Sequence, residues 1–331
     1  MKFGFIPVED SRFYQEALNQ VEMAEKLGFD SVWLEEHHGT SRHYHPSPLI
    51  YLAGFATRTE RILLGTDIAV LPLYHPLRLA EDVAQLDVMS KGRMVLGVAI
   101  GYREAEFGAF QTPLKGRGAQ FEEMLELIKR LWMEDNLDFE SRRYALSNFT
   151  LEPKPLQKPR PPIWLGGWGK LSIQRAAALG DAWIPGPTAN LAKLKEAQAR
   201  YNDHLLELGI DPQSRPRPLT RDVIIASREE DAEELAQSYL LPAYRDEYST
   251  WSHPLIGTSD PTATDILAEL RRDRFIIGSP SRVIEQVKYF KEQFGMDHLV
   301  CRLHFPGMPP EKVLAAVRLI GEEVIPAFRE S

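Results

Sequence analysis

Short apolar runs of strand length alternate with longer segments of helical period along most of the chain, which restricts it to parallel strands joined by helical crossovers. Lys2 to Pro7 reads as the first strand. Tyr14, Leu18, Val21 and Ala24 then recur at helical spacing, with Ser11 in the N-cap position and Gly28 ending the helix. A strand Ser31 to Leu34, a helix Pro48 to Thr59, a strand Ile62 to Val70, a helix Leu77 to Met89 and a strand Met94 to Val98 follow. The helix Gln120 to Met133 puts Phe121, Met124, Leu125, Ile128 and Trp132 on a buried face. Leu137 to Leu151 reads as an irregular or hairpin excursion. The proline-rich Glu152 to Pro162 is a loop between units, because Ile163 to Gly166 resumes as an apolar strand. Strands Ala182 to Ile184, Leu219 to Ala226, Phe275 to Ile277 and His298 to Cys301 continue the pattern, with helices Leu171 to Leu179, Leu191 to Leu208, Ser281 to Phe294 and Glu311 to Ile325. Leu240 to Pro261 is polar, aromatic-rich and aperiodic, and loops of that length are usually functional or mobile.

At 331 residues and 44% hydrophobic, the chain can bury a large core as one barrel with insertions or as two smaller domains. Its net charge is -8 and its 39 basic residues are dispersed, which argues against a nucleic-acid partner. The N-terminal apolar run is too short for a signal peptide and no later stretch has the length of a membrane span, so a cytoplasmic, soluble protein is expected. Cys301, the only cysteine, rules out an internal disulfide and reads as a small buried hydrophobe.

Several constellations could carry chemistry. Glu35-Glu36-His37-His38 follows the second strand, where a barrel presents its active site, and His43 and His45 lie close behind. Successive strand residues point to opposite sides, so His37 and His38 are poorly placed to chelate one metal, and proton exchange by a neutral imidazole is the simpler chemistry. Asp67 interrupts an apolar strand. A buried carboxylate needs a partner, so Asp67 is expected to face a polar cavity or a ligand. Tyr74-His75-Pro76 turns into a helix with Pro76 at its first position.

Ile163 to Ser172 is a strand, a glycine-rich turn (Gly166, Gly167, Gly169) and a helix start, a combination whose free N–H groups suit a phosphate. It falls short of a dinucleotide fingerprint, since Gly167-x-Gly169-x-x ends in Ser172 with no acidic residue suitably placed beyond, so a mononucleotide fits better than NAD. Gly278-Ser279-Pro280-Ser281 is a second such turn, explained equally well by Ser281 as an N-cap. Gly97 to Gly101, followed by Tyr102, leaves room for a flat ring against backbone.

The stretch from Gly65-Thr66 to Gly101 carries Ala69-Val70-Leu71-Pro72, His75-Pro76, Ala80-Glu81-Asp82-Val83, Leu86-Asp87, Ser90-Lys91-Gly92-Arg93 and Leu96-Gly97. With Glu36-His37-His38 before it, and Gly166-Gly167, Ser172, Ala176-Ala177, Gly180-Asp181 and Gly278-Ser279-Pro280 after it, most of the chain resembles the bacterial luciferase-like flavin-dependent monooxygenases. The resemblance implies a luciferase-like (β/α)8 TIM barrel with insertions, spanning 1–331 as one domain and usually a homodimer. It also implies reduced FMN or coenzyme F420 at the barrel mouth. His37 corresponds to a catalytic histidine, Asp67-Ile68 to a non-prolyl cis peptide, and Gly167, Trp168, Gly169 and Ser172 to phosphate contacts. Gly101 and Tyr102 are expected beside the cofactor, and His38, His45 and Tyr74 beside the substrate. No metal is expected.

The implied reaction is that of a two-component monooxygenase: a separate reductase supplies reduced FMN, and O2 oxidises a small organic substrate through a flavin C4a-peroxide. An F420-dependent hydride-transferring oxidoreductase and a non-catalytic flavin-binding protein are the alternatives. Luciferase has a reactive cysteine and a phosphate-binding arginine after the fourth strand, where this chain has Ala99 and Ile100. Phosphate would then rely more on backbone donors, and light emission does not follow. Tyr239 to Trp251 is where a substrate-covering loop is expected.

Overall fold

In the computed structural model, residues 1–40, 44–244 and 273–329 are described. β1 (Lys2–Ile6), β2 (Ser31–Leu34), β3 (Leu63–Thr66), β4 (Ala69–Val70), β5 (Met94–Ala99), β8 (Ile163–Leu165), β9 (Ala182–Trp183), β10 (Pro218–Ile225), β11 (Ile276–Gly278) and β12 (His298–Arg302) form one parallel sheet. β6 (Leu137–Glu140) and β7 (Ala145–Phe149) make the antiparallel hairpin that the excursion after the long helix suggested. Neighbours run β11-β10-β12-β1-β2-β3-β5-β8-β9. β10 pairs with β12 along Pro218 to Asp222 and with β11 from Val223 onward. The Thr220 N–H donates to Pro185 O at 3.3 Å, joining β10 to the segment beyond β9, so the sheet curls into the (β/α)8-type barrel expected.

Every residue of β10 is buried, as are those of β2, β8 and β12, so the polar Arg221, Asp222 and Arg302 in them lie in the interior of the protein. The third strand differs from its expected form. It ends at Thr66 and resumes at Ala69, with the Asp67-Ile68 peptide cis between. The Thr66 hydroxyl donates to Gly97 O at 2.6 Å and accepts the Gly97 N–H at 3.0 Å, replacing the backbone ladder at the break. A Cβ on Gly97 would lie 1.8 Å from Thr66 O, so only glycine permits this approach.

The helices cover the outside. α1 (Tyr14–Lys26) buries Leu18, Val21 and Ala24, while Asp10, not Ser11, caps the turn before it by accepting from the Arg12 N–H at 3.0 Å. α2 is Pro48–Ala56, α3 Pro76–Met89, α4 Glu104–Ala109 and α5 Arg117–Met133. α5 buries the expected apolar face, and its Trp132 donates to Ala80 O of α3 at 3.0 Å. The proline-rich loop is tied to the barrel by buried Asp87, which accepts from Gln157 N at 2.9 Å and Gln157 Nε2 at 2.7 Å. α6 (Lys170–Leu179), α7 (Leu191–Glu207) and the helices Pro280–Phe294 and Pro310–Leu319 complete the cover. Cys301 is buried in β12, and burial pushes its thiol up. Among the described residues no helix is long and apolar enough to cross a membrane. Most of Tyr239 to Trp251, and His43, lie outside the described residues.

Candidate active site

Because the sheet strands are parallel, their C-terminal ends share one rim, and a cavity of about 340 Å³ opens there. Its walls come from the segments following β2, β3, β5, β8 and β9. His37, Asp67, Ile68, Gly101, Tyr102, Gly167, Trp168, Gly169 and Ser172 all line it, so residues far apart in the chain meet in one place.

One end is suited to an anion. Gly167 has φ +121°, and a Cβ there would strike Ser172 Cβ at 2.7 Å, so the turn can be made only without a side chain. A Cβ on Gly169, which flanks the start of α6, would meet nothing within 4 Å, leaving the helix N-terminus open to a ligand. Arg117, at the start of α5, lines the same cavity and is anchored by donating to Gly101 O and Leu114 O, each at 3.0 Å. The second glycine turn is closed: the Ser279 N–H donates to Glu229 Oε2 at 2.9 Å, so a carboxylate already occupies that helix start. Ser279 rather than Ser281 is the flanking residue of the helix.

Gly97 and Gly101 do not leave empty space for a ring. Their Cβ directions are filled by Thr66 O and by Val70 and Phe107 respectively, and Gly101 meets the cavity through its backbone. Beside them stand Ala99, Ile100, Ile68, Ile184 and Trp168, an apolar slot. Tyr102 closes one side, its phenol pushed up by burial.

His37 is held by Glu106 of α4, whose Oε1 lies 2.8 Å from His37 Nδ1. Glu106 Oε1 also accepts from the His38 N–H at 2.9 Å and from Arg103 at 2.7 Å. Burial alone would raise the Glu106 carboxyl, but His37, the His38 amide and Arg103 outweigh it and hold it below the usual range. A carboxylate can only accept in this contact, so Nδ1 carries a proton. Tyr44 packs edge-on to the ring at 4.7 Å.

Asp67 faces the cavity, as its place in an apolar strand suggested, and accepts from the Thr220 hydroxyl of β10 at 2.6 Å. Burial pushes its carboxyl up to about 7.

Three residues expected beside the substrate do not line this cavity. His38 turns away to Glu36, with its Nε2 2.8 Å from Glu36 Oε1. Tyr74 donates to the same oxygen at 2.9 Å, and the Val70 N–H donates to Glu36 Oε2 at 2.8 Å. Glu36 is buried and itself lines the cavity, and a buried carboxylate gathers donors, so both side chains bond to it from behind the lining. His45 is fully buried against Tyr51, its ring centroid 4.0 Å from the phenol's, and burial pushes it down to about 4. It has no access to the cavity.

Sequence reading missed Glu106, Arg117 and Thr220, and gave Glu35 no role of its own. Glu106 is 69 positions from His37 and Thr220 is 153 from Asp67, so no local spacing signals either pair.

A family model described as luciferase-like monooxygenase matches residues 6–298. The oxygenase component of the flavin-dependent trigonelline monooxygenase of Acinetobacter baylyi is 26% identical, covering 97% of this chain and 91% of that protein. An F420-dependent glucose-6-phosphate dehydrogenase of Microbacterium testaceum is 27% identical, covering 100% and 98%. The crystal structure of the monooxygenase RslO1 from Streptomyces bottropensis superposes with a TM-score of 0.88 at 25% identity, covering 99% of this chain and 100% of that one. With a family match that spans the barrel from β1 to β12, the chain belongs to the luciferase-like monooxygenase family and is an enzyme of it.

Proposed function

We propose that the chain is the oxygenase component of a two-component monooxygenase, taking reduced FMN from a separate reductase and oxidising a small organic substrate with O2. The observation that carries this reading is a single cavity with an open glycine and helix-start anion seat at one end, an apolar slot, and His37 braced by Glu106. A flavin mononucleotide has the matching parts: one phosphate, one flat ring system and one reactive edge. Gly167, Gly169, Ser172 and Arg117 would hold the phosphate, and Ile68, Ile184 and Trp168 would flank the ring. Reduced flavin, when bound, supplies the electrons that activate O2. His37, kept in one tautomer by Glu106, moves a proton at Nε2, and the apolar walls exclude water. The trigonelline monooxygenase relative supports both the flavin and the partner reductase. We further propose a cytoplasmic homodimer of one-domain barrels.

F420-dependent hydride transfer is the second reading, favoured by the glucose-6-phosphate dehydrogenase relative. Anaerobic titration with photoreduced FMN and, in parallel, with reduced F420 separates the two. Tight binding of reduced FMN, followed by O2 uptake coupled to substrate oxidation, is expected. Binding of F420 alone would transfer the site to hydride chemistry.

A further inference from the structure

The cavity holds more acid than this function uses. Glu35, just beyond β2, lines the cavity, and behind it lies Glu9, which follows β1 and is only 1% exposed. The two carboxyl groups are within hydrogen-bonding reach of each other. Glu9 Oε1 and Glu35 Oε2 are buried and meet no donor among the described residues. Arg302 of β12, itself buried, places Nε 3.2 Å from Asp222 Oδ1 of β10 and Nη1 3.8 Å from Glu35 Oε1. Its charge is shared among Asp222, Glu35 and Glu9, and it opposes the rise of both glutamates without outweighing their burial. Two carboxylates abutting in a buried place cannot both stay ionised.

We propose that Glu9 and Glu35 form a proton-sharing carboxyl pair that stores one proton beneath the cavity and delivers it through Glu35 to the reactants above.

The groups facing the pair are His37 after β2, Asp67 after β3, Tyr102 after β5, Asp222 of β10, Arg302 of β12 and His304 beyond it. His304 adds no cation. Its Nδ1 accepts the Glu9 N–H at 3.2 Å and its Nε2 donates to Met308 O at 3.2 Å, an arrangement only the neutral ring satisfies. Burial, and then Glu35, drive the Glu9 carboxyl well above the usual range; burial also raises Glu35, with Arg302 and His37 opposing. In the delivery step the Glu35 O–H bond breaks and its proton passes to a basic atom in the cavity. That departure leaves both carboxylates ionised, the state their burial disfavours. No electron moves, and one proton from solvent restores the pair. Storage is a property of the chain alone, whereas delivery rests on the oxygenase reading.

Infrared spectra of the full-length, cofactor-free protein labelled with carbon-13 glutamate test the storage. A protonated glutamic-acid carbonyl band is expected at neutral pH in the wild-type protein and lost in Glu9→Gln, where Glu35 alone ionises beside Arg302. Absence of that band from the wild-type protein overturns the proposal even if the variants fail to fold, and so does a band that survives both Glu9→Gln and Glu35→Gln. In the loaded enzyme, Glu9→Gln is expected to lower turnover about tenfold and to move the alkaline limb of the pH profile to lower pH, with Glu9→Asp restoring most of the loss. An unchanged profile overturns delivery. A band without any oxygenase turnover in the wild-type protein would instead defeat the oxygenase reading and leave storage standing.

Discussion

Inside the lower barrel, Trp33 of β2 stacks on Trp164 of β8 with centroids 4.7 Å apart, and its Nε1 donates to Ser31 Oγ at 2.7 Å. Ser31 Oγ in turn lies 2.7 Å from His298 Nε2, which burial keeps neutral by pushing it down to about 3. Gly4 and Gly65 make room for this stack, since a Cβ on either would come within 2.7 Å of the indole. Two residues beyond Trp33 on the same stretch of chain, Glu35 opens the upper barrel, where Glu9, Glu35, Asp67 and Asp222 gather around Arg302 and leave buried oxygens without donors. The floor satisfies its polar atoms and packs aromatics; the mouth leaves acids unmatched at a cost in stability. A fold keeps such a conflict where ligand chemistry uses it, so the contrast separates what supports the barrel from what works in it.

Substitutions on either side test that division. The largest effect is expected at the mouth: His37→Ala should lower oxygenation about a hundredfold to ten-thousandfold with reduced-flavin binding retained. A comparable rate in the variant, read by O2 uptake, would put His37 among the supporting residues. On the floor, Trp33→Ala should cost about 3–5 kcal/mol in chemical denaturation, because the aromatic stack leaves a cavity.

The two regions should also respond to pH with opposite sign. Asp67 takes up a proton on folding, so its contribution is complete below about pH 4 and fades as pH rises through about 7. Asp67→Asn should flatten that decline, worth at most a few times about 1.4 kcal/mol, in urea melts across the interval. His298 is depressed, so the floor instead loses stability as pH falls from about 6.5 toward about 3. The smallest change is Ser31→Ala, about 1–3 kcal/mol, since it strands the Trp33 N–H and a His298 nitrogen. A neutral result there would show that the floor is less tightly satisfied than its geometry indicates.

Much of the barrel was readable in advance. Apolar runs at Ser31 to Leu34 and Met94 to Val98 fell on strands, and the face of α5 was right residue by residue. Errors came where a side chain took over from the backbone. Thr66 bonds both polar groups of Gly97 and splits a strand that reads as continuous, and Asp10 takes the cap assigned to Ser11. At the site, the cavity-lining residues were found because glycine turns and a lone acid in an apolar strand are local signals. His38, His45 and Tyr74, expected beside the substrate, do not line the cavity, because their surroundings depend on Glu36 and Tyr51, which sequence order does not bring to view.

The sequence by itself determined the alternation of strands and helices, the family, and the glycine turns, since hydrophobic period and glycine chemistry act over a few residues. The tertiary structure alone decided that Glu106 braces His37, that Thr220 meets Asp67 across the barrel, and that Glu9 and Glu35 share one buried space. Those contacts depend on how the strands curl and on which side chains burial then forces together. Charge pairing in a low-dielectric interior is set by distance in space, and distance along the chain carries almost none of it.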